Sequence, residues 1–382
     1  MSPTEPATLT RVTGIDATLV RLPLVHAHFS GAAGDRQRFT RHALVRVSDE
    51  LGTCGWGEVP LVDDETWRLL VDDYAPALLH HTWVRPTETA AAWAGLPWSP
   101  AVAAGLDAAC WDLWSRQRGA PLSSALGGAR TAFTAGATVG RQSSAEMLVL
   151  EVNRQVGSGF RRVRLEIGPG WDTGVIRTVQ ASFPFLVLQA DAGGRYTEDA
   201  ADLAALRALD DCGLVAIEEP FARGDLEAHA RLQRDLRTRV ALSTSVDSLE
   251  TLDRAIRTEA AGALCLRPSL LGGLTPARRA HDRAADAGWE VWCGWDGESG
   301  IGRASLAALA ALSGVTLPSE TPGAGGRFTR DTVRPPVRAH EGIIPIPLTR
   351  PGLGHEVDTR ELRRFALDSV HLSTGGPAGG TA

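Results

Sequence analysis

The feature that most constrains the fold is a repeat that begins after residue 132. Short apolar segments that end in small or charged residues alternate there with longer amphipathic segments. Eight such apolar segments are present, at 135–139, 162–167, 185–191, 214–218, 240–243, 262–267, 290–294 and 314–317. Eight strands that alternate with helices are typical of a (β/α)8 barrel. We therefore predict an α/β protein built on a modified TIM-like barrel.

Composition excludes several kinds of chemistry. All 39 basic residues are arginine, and the absence of lysine excludes Schiff-base catalysis, a P-loop lysine and a lysine general base. The net charge of −6, without a block of one sign, predicts neither a nucleic-acid nor a membrane partner. Five scattered cysteines without a Cys-x-x-Cys pair predict neither disulfides nor a zinc site, which fits a cytoplasmic location.

The ends of the predicted strands should hold the functional groups, because barrel active sites lie at the carboxyl ends of the strands. Four successive strands end in Asp191, Glu218, Ser243 and Arg267, which are 27, 25 and 24 residues apart. The strand before them carries Arg162, Arg164 and Glu166 at alternating positions, so these three side chains share one face. We expect all seven to lie near the barrel mouth.

Several short motifs carry a family resemblance between about residues 19 and 357. They include Gly55-Trp56-Gly57-Glu58, Trp111-Asp112-Leu113, Leu126-Gly127-Gly128, Ile217-Glu218-Glu219-Pro220, Glu298-Ser299-Gly300 and Pro351-Gly352-Leu353-Gly354. In these motifs the sequence resembles the enolase superfamily, specifically its muconate-lactonizing branch with o-succinylbenzoate synthases and N-acylamino acid racemases. This resemblance implies an α+β capping domain over a modified barrel.

The resemblance and the composition together predict the domain organisation. An N-terminal α+β capping domain is expected over 1–132, with a helix over 99–126, and the barrel over 133–318. A C-terminal segment, 319–372, would complete the capping domain. The remainder, 373–382, is rich in Gly, Ser, Thr and Pro and is expected to be a disordered tail. The family resemblance also implies self-association into a homo-oligomer.

The sequence departs from the family at the residues that matter most for catalysis. The resemblance implies a Mg²⁺ ion held by three carboxylates and two lysines that face each other across the substrate. Asp191 and Glu218 match two of the metal ligands, but the third position is Ser243, and Glu166 and Arg267 replace the lysines. Guanidinium does not deprotonate near neutral pH, so Arg267 cannot act as a base. No cofactor is therefore expected, and Asp191 and Glu218 would be metal ligands only if Mg²⁺ bound.

One interpretation of these departures is a redesigned active site. Arg164 and Arg267 would clamp a substrate carboxylate or stabilise an enolate, while Glu166 and Asp296 would transfer protons. Residues expected to contact the substrate are Arg162, Trp295, Ser243 and Ser245, with His26 and His28 from the loop that sets specificity in the family. The predicted function is a metal-independent lyase, cyclase or isomerase that performs proton transfer or β-elimination on a small carboxylate in a biosynthetic pathway.

Two other interpretations stay open. The arginines could pair with Asp191 and Glu218 and replace the metal, leaving an inactive protein that binds a ligand or a partner. Arginines free to meet a ligand would favour the enzyme, whereas arginines fully engaged by those carboxylates would favour the inactive protein. The third interpretation is a Mg²⁺-dependent enzyme, similar to o-succinylbenzoate synthase or the racemases, with an altered site.

Overall fold

The computed structural model describes residues 9–30 and 35–374, and only the backbone for 26–30 and 35–37. The first third of the chain is an antiparallel sheet covered by helices. Its elements are β1 Thr10–Ser30, β2 Asp35–Asp49, β3 Cys54–Val59, α1 Asp64–Arg68, α2 Ala75–Leu79, β4 Thr82–Trp83, α3 Pro100–Gln117 and α4 Leu122–Ala125. Strand β1 pairs with both β2 and β4, and β2 pairs with β3.

Helix α3 lies very close to strand β3 because the contact surface is built from glycine. A Cβ atom on Gly57 would lie 1.9 Å from the carbonyl oxygen of Gly105, and one on Gly55 would lie 2.2 Å from that of Ala109. A larger residue at either position would force the helix off the sheet. The predicted helix over 99–126 is interrupted, since Gly119 adopts a positive φ of 62° and starts the turn between α3 and α4.

The middle of the chain forms the barrel, in which strands and helices alternate. Its elements are β5 Ala132–Val139, α5 Ala145–Gly157, β6 Arg162–Glu166, α6 Thr173–Ser182, β7 Val187–Asp191, α7 Ala200–Leu209, β8 Ala216–Glu218, α8 Leu226–Asp235, β9 Arg239–Leu242, α9 Leu249–Arg257, β10 Ala263–Leu266, α10 Pro268–Leu271, α11 Leu274–Asp286, β11 Glu290–Cys293, α12 Gly300–Leu309 and β12 Ser319–Glu320. All neighbouring barrel strands are parallel, in the order β11-β10-β9-β8-β7-β6-β5-β12. The predicted fold class is confirmed.

The barrel helices begin at caps that the sequence encodes locally. The side chains of Ser144, Asp225 and Ser248 accept hydrogen bonds from backbone N–H groups three residues later, at 3.3, 3.0 and 3.1 Å. Such caps satisfy N–H groups that have no partner within the helix. They fix where each helix starts and therefore where the preceding loop leaves the barrel mouth.

The eighth strand does not lie where the sequence pattern placed it. Residues 314–317 contribute a single bridge, between Val315 and Val291. The strand that pairs with β5 is Ser319–Glu320, just beyond Pro318. A proline has no N–H to donate to a sheet, so the apolar run before it marks the approach to the strand rather than the strand itself. The residue at the end of this strand is consequently Glu320.

The end of the chain returns to the first sheet. Its elements are β13 Val333–Arg334, β14 Ile343–Pro345, β15 Glu356–Val357, α13 Thr359–Phe365 and β16 Ala366–Ser373. Strand β16 pairs with β1, and β14 pairs with β5 of the barrel. Ser373, predicted to begin the tail, ends β16, and residues 375–382 lie outside the described part. No helix in the described ranges is long and apolar enough to cross a bilayer.

Candidate active site

Side chains from several barrel strands converge at the ends where the catalytic groups were predicted. The group comprises Arg164, Gln189, Asp191, Glu218, Ser243, Arg267, Asp296 and Glu320, which we call the strand-end cluster. Arg164 donates from Nε and Nη2 to the two carboxylate oxygens of Glu218, at 2.7 and 2.8 Å. Its Nη2 also lies 2.9 Å from Oδ2 of Asp191. Arg164 thus occupies the space between the two carboxylates that match metal ligands of the family.

Arg267 connects the opposite side of the cluster. Its Nε donates to Oγ of Ser243 at 2.7 Å, and its Nη1 pairs with Oδ1 of Asp296. Its Nη2 lies 3.7 Å from Glu218 and 3.6 Å from Glu320. Burial lowers the pKa of this guanidinium, but the surrounding anions outweigh burial and hold the pKa well above its usual value. Arg267 therefore remains a cation, and the predicted free clamp is instead an arginine already paired with protein carboxylates.

Glu320 completes the cluster and was missed by the sequence analysis. Its Oε1 accepts from the indole N–H of Trp292, and its Oε2 from the backbone N–H of Trp295, both at 3.3 Å. Burial raises the pKa of Glu320, but Arg164, Arg267 and Arg162 outweigh burial and lower it to about 2. The signal that could have identified Glu320 is the spacing of strand ends. Glu320 lies 27 residues after Cys293, the end of β11, just as Glu218 lies 27 residues after Asp191, the end of β7.

Two carboxyl groups at the mouth have fewer hydrogen-bond and ion-pair partners than Glu218 and Glu320. Glu166 and Asp191 lie opposite each other in the β6–β7 pairing. Burial, together with repulsion from Glu218, Glu166 and Glu320, raises the pKa of Asp191 to about 7, although Arg164 opposes this shift. Glu166 is half-buried and has no hydrogen-bond or ion-pair partner among the described residues. Asp191 is therefore a carboxyl group of the cluster that can gain or lose a proton near neutral pH, and Glu166 lies beside it.

Arg162 was predicted to contact the substrate, and its position corrects that prediction. The residue is only 1 % exposed and lies in the barrel interior, where its Nη2 donates to Oε1 of Gln189. Its guanidinium lies 5.7 Å from the ring of Trp292. Gly136 leaves the space for it, since a Cβ atom there would lie 2.5 Å from Nη1. Arg162 is therefore part of the barrel core.

The two serines that were predicted to bind substrate form hydrogen bonds with protein groups. Glu219 accepts the backbone N–H groups of Ser243 and Ser245 at 2.6 and 2.7 Å, and the Ser245 hydroxyl at 2.7 Å. These bonds hold Glu219 against the loop after β9. Ser243 turns its hydroxyl toward Arg267 and positions that guanidinium.

Residues after β11 occupy the mouth as expected. The side chain of Asp296 is 23 % exposed, and its Oδ2 accepts from the hydroxyl of Ser269, another residue that the sequence analysis missed. The backbone N–H of Asp296 donates to Oε2 of Glu298 at 2.8 Å. The ring of Trp295 is half-buried and lies beside Arg327. The predicted loop residues His26 and His28 have side chains outside the described residues.

The side chains present at these strand ends do not fit a Mg²⁺ ion. Magnesium requires oxygen ligands in near-octahedral geometry, whereas a guanidinium cation fills the space between Asp191 and Glu218. A second group, Glu218, Cys265 and Glu320, has ligand atoms within 4.8 Å of one another. Burial raises the pKa of the Cys265 thiol far above its usual value, and both glutamates already face arginines. Neither arrangement offers a set of free anionic ligands.

Comparison with known proteins gives consistent matches. A family model described as "Enolase C-terminal domain-like" matches residues 147–362. An o-succinylbenzoate synthase from Geobacillus kaustophilus is 37% identical over 331 residues, 84% of this chain and 88% of that protein. An N-succinylamino acid racemase from Thermus thermophilus is 35% identical over 372 residues, 95% and 99% of the two chains. The crystal structure of an enolase superfamily member from Listeria innocua superposes with a TM-score of 0.89 at 25% identity, covering 95% and 99% of the two chains.

Proposed function

Since the chain belongs to the enolase C-terminal domain-like family, we propose that it is a metal-independent lyase, cyclase or isomerase acting on a small carboxylate in a biosynthetic pathway. The named relatives are synthases and racemases, so an enzymatic role is the starting expectation. Metal independence goes beyond what the relatives indicate. It is supported by the strand-end cluster, in which arginine side chains contact the carboxylates that would otherwise bind a metal ion.

The observation that carries the proposal is the combination of fixed cations with one unpaired carboxylate. Arg164 and Arg267 supply positive charge where relatives would place an ion and an amine, while Glu166 keeps no described partner. Preorganised cations in a site of low water content stabilise charge that develops on a substrate. An unpaired carboxylate beside them can take a proton.

The proposed reaction begins with removal of the proton α to the substrate carboxylate by Glu166. The C–H electron pair moves into the carboxylate to form an enolate, and Arg267 stabilises the added negative charge. Delivery of a proton to the opposite face by Asp296, which lies beside Arg267 on the other side of the cluster, would complete an isomerisation, and the proton taken up by Glu166 would leave to water. Expulsion of a leaving group from the β carbon, protonated by Asp191, would complete an elimination. Arg164 positions Asp191 and Glu218 and does not need to touch the substrate.

A specific observation favours the inactive protein as a second candidate. Arg164 contacts both Asp191 and Glu218, which is the arrangement that would hold the barrel closed without any reaction. The exposure of Asp296 and the unpaired state of Glu166 favour the enzyme instead. A Mg²⁺-dependent reaction would require Arg164 to leave its position.

The test is exchange of substrate α-protons with D₂O, followed by NMR for a panel of small carboxylates that includes o-succinylbenzoate and N-succinyl amino acids. We expect exchange that is unchanged by EDTA and that falls by about 10²–10⁴-fold in Glu166→Gln. Glu227→Gln, on the exposed side of α8, is the matched control and should exchange like the parent. Absence of exchange in the folded parent would favour the inactive protein, and stimulation by Mg²⁺ would favour the metal-dependent enzyme.

A further inference from the structure

One arginine beside the strand-end cluster, Arg327, has no acidic partner among the described residues. The side chain of Arg327 makes no hydrogen bond or ion pair with any described residue, and its Nε is buried. Its guanidinium lies 5.4 Å from the centre of the Trp295 ring and 5.9 Å from that of Phe328. A half-buried cation that is held only against aromatic rings is incompletely compensated, and an anion beside it would be stabilised.

Arg327 lines a cleft of about 210 Å³ between the first sheet and the barrel. Its described walls include Leu24 from β1, Thr138 from β5, Gln155 from α5 and the ring of Trp295. Gln155 accepts the backbone N–H of Ala324 at 2.8 Å, which fixes the wall formed by the segment before Arg327. The charges of Arg154 and Glu151, also in this lining, compensate each other at 2.8 Å.

Two residues that line the cleft also neighbour residues of the strand-end cluster. Trp295 donates its backbone N–H to Glu320 and accepts from Nη1 of Arg267, both at 3.3 Å, while its ring forms part of the cleft. Thr138 pairs in register with Arg164 in the barrel sheet. A molecule that lies along Trp295 would therefore reach from Arg327 toward the reacting end of the site.

The backbone holds Arg327 in this position. Its carbonyl oxygen accepts the N–H of Val25 at 2.8 Å, and Thr329 donates to the carbonyl of Pro23 at 3.0 Å. Nearby Glu298 does little to neutralise Arg327, because burial and repulsion from Asp296 raise the pKa of Glu298 to about 8 and keep most of it uncharged near pH 7. The positive charge of Arg327 is thus available to a ligand.

We propose that Arg327 determines specificity by binding a second carboxylate, at the far end of an elongated substrate, while Trp295 packs against the chain that links it to the reacting end. The inference rests on the proposed function for what happens at the strand-end cluster. Arginine meets a carboxylate with two parallel hydrogen bonds, which suits a site built to recognise such a group.

The test uses two probes with the same six-carbon chain, adipate with two carboxylates and hexanoate with one. We expect the parent to bind adipate at least about tenfold more tightly by calorimetry, because a charge-assisted hydrogen bond contributes that much. Arg327→Gln should abolish this preference and Arg327→Lys should restore part of it. Arg330→Gln, an exposed arginine three residues later, is the control and should keep the preference.

An equal affinity of the parent for both probes, or an undiminished preference in Arg327→Gln, would overturn the assignment. Thermal unfolding of Arg327→Gln should match that of the parent, since no described ion pair is lost. The assay separates the two proposals, because adipate binding does not require turnover. If Glu166→Gln lost proton exchange but Arg327→Gln kept the adipate preference, only the assignment of Arg327 would be rejected. If Glu166→Gln kept proton exchange but Arg327→Gln lost the adipate preference, only the proposed reaction would be rejected.

Discussion

Two regions of the molecule bury carboxylates and satisfy them in opposite ways. In the first, the cap–barrel seam formed by Glu58, His42, Ser299 and Gly302, one carboxylate meets several donors. Glu58 accepts the backbone N–H groups of Ser299 and Gly302 at 2.7 and 2.8 Å and the Ser299 hydroxyl at 2.8 Å, and Nδ1 of His42 lies at 2.9 Å. In the second, the strand-end cluster, four carboxylates share two arginines, Arg164 and Arg267.

The ratio of donors to carboxylates decides where protons reside. Burial raises the pKa of Glu58, but its donors outweigh burial and lower the pKa below its usual value. Asp191 has too few donors, and its pKa rises to about 7 through burial and the neighbouring carboxylates. The seam therefore holds a permanent anion that joins cap to barrel. The cluster holds a proton that can be exchanged near neutral pH, which is a requirement for acid–base chemistry.

The largest effect should come from removing a cation from the cluster. Arg164→Met leaves Glu218 and Asp191 buried without their partner, and we expect a loss of about 3–5 kcal/mol in the free energy of unfolding at pH 7. The loss should shrink at pH 5, because the orphaned carboxylates take up protons in the folded state. Urea unfolding at both pH values provides the measurement.

The matched control for that substitution is Arg231→Met, which removes an exposed ion pair with Glu198. Exposed pairs contribute about 0–1 kcal/mol, so this variant should be near the parent. If Arg164→Met were no more harmful than Arg231→Met, the cluster would not depend on its cations and the contrast with the seam would disappear.

A second test concerns Glu298, which lies between the two regions. Burial and Asp296 raise the pKa of Glu298 to about 8, so the folded state keeps a proton that the unfolded chain releases near pH 4.5. The free energy of unfolding should therefore fall as pH rises from about 5 to 8. Glu298→Gln removes this titration. Between these pH values the free energy of unfolding of the variant should therefore fall by on the order of 3 kcal/mol less than that of the parent. Parallel stability curves for parent and variant would contradict the raised pKa.

The two regions also differ in how far the sequence predicts them. Glu58 and Glu298 belong to short motifs, and Glu218 follows from the strand repeat, so each could be identified without coordinates. Glu320 was missed because an apolar run before Pro318 resembled the strand that follows it. The family resemblance itself is confirmed by the matching family model and relatives.

Pairing across strands was the part that the sequence could not supply. One interpretation left Arg164 and Arg267 free for a substrate and another paired them with Asp191 and Glu218, and the sequence could not decide between the two because the choice depends on how side chains from different strands are placed. Arg327 was not singled out because its segment has no repeat, and its position depends on backbone contacts with residues about 300 positions earlier. Such contacts are set by the packing of cap on barrel.

The seam provides a third test with the opposite pH dependence. Glu58→Gln keeps the shape but loses the charge that its donors stabilise, so we expect a loss of about 2 kcal/mol at pH 7. Because the pKa of Glu58 is lowered on folding, its contribution is complete above about pH 4.5 and disappears as pH falls further. The difference from the parent should therefore shrink below pH 4, and a difference that grew with acid would reverse the assignment.

The smallest effect separates the two serines that follow β9. Ser243→Ala removes the hydroxyl that accepts from Nε of Arg267, and Ser245→Ala removes the one that donates to Glu219. Ser243→Ala should lower the free energy of unfolding by about 1 kcal/mol, the usual contribution of one hydrogen bond. Ser245→Ala should cost about twice as much, because its hydroxyl also accepts the backbone N–H of Gly224 at 2.8 Å. Only Ser243→Ala should also slow α-proton exchange, because it releases the guanidinium proposed to stabilise the enolate.

A loss of stability in both variants with slower exchange only in Ser243→Ala would show that Ser243 acts through Arg267, whereas Ser245 acts on the loop alone. Adding Arg267→Gln to each serine variant makes the distinction quantitative. The effect of Ser243→Ala on exchange should vanish in that background, since the hydroxyl then has no guanidinium to position. If Ser243→Ala still slowed exchange in the Arg267→Gln background, the Ser243 hydroxyl would itself contact the substrate. That result would contradict the geometry, in which this hydroxyl bonds to Arg267.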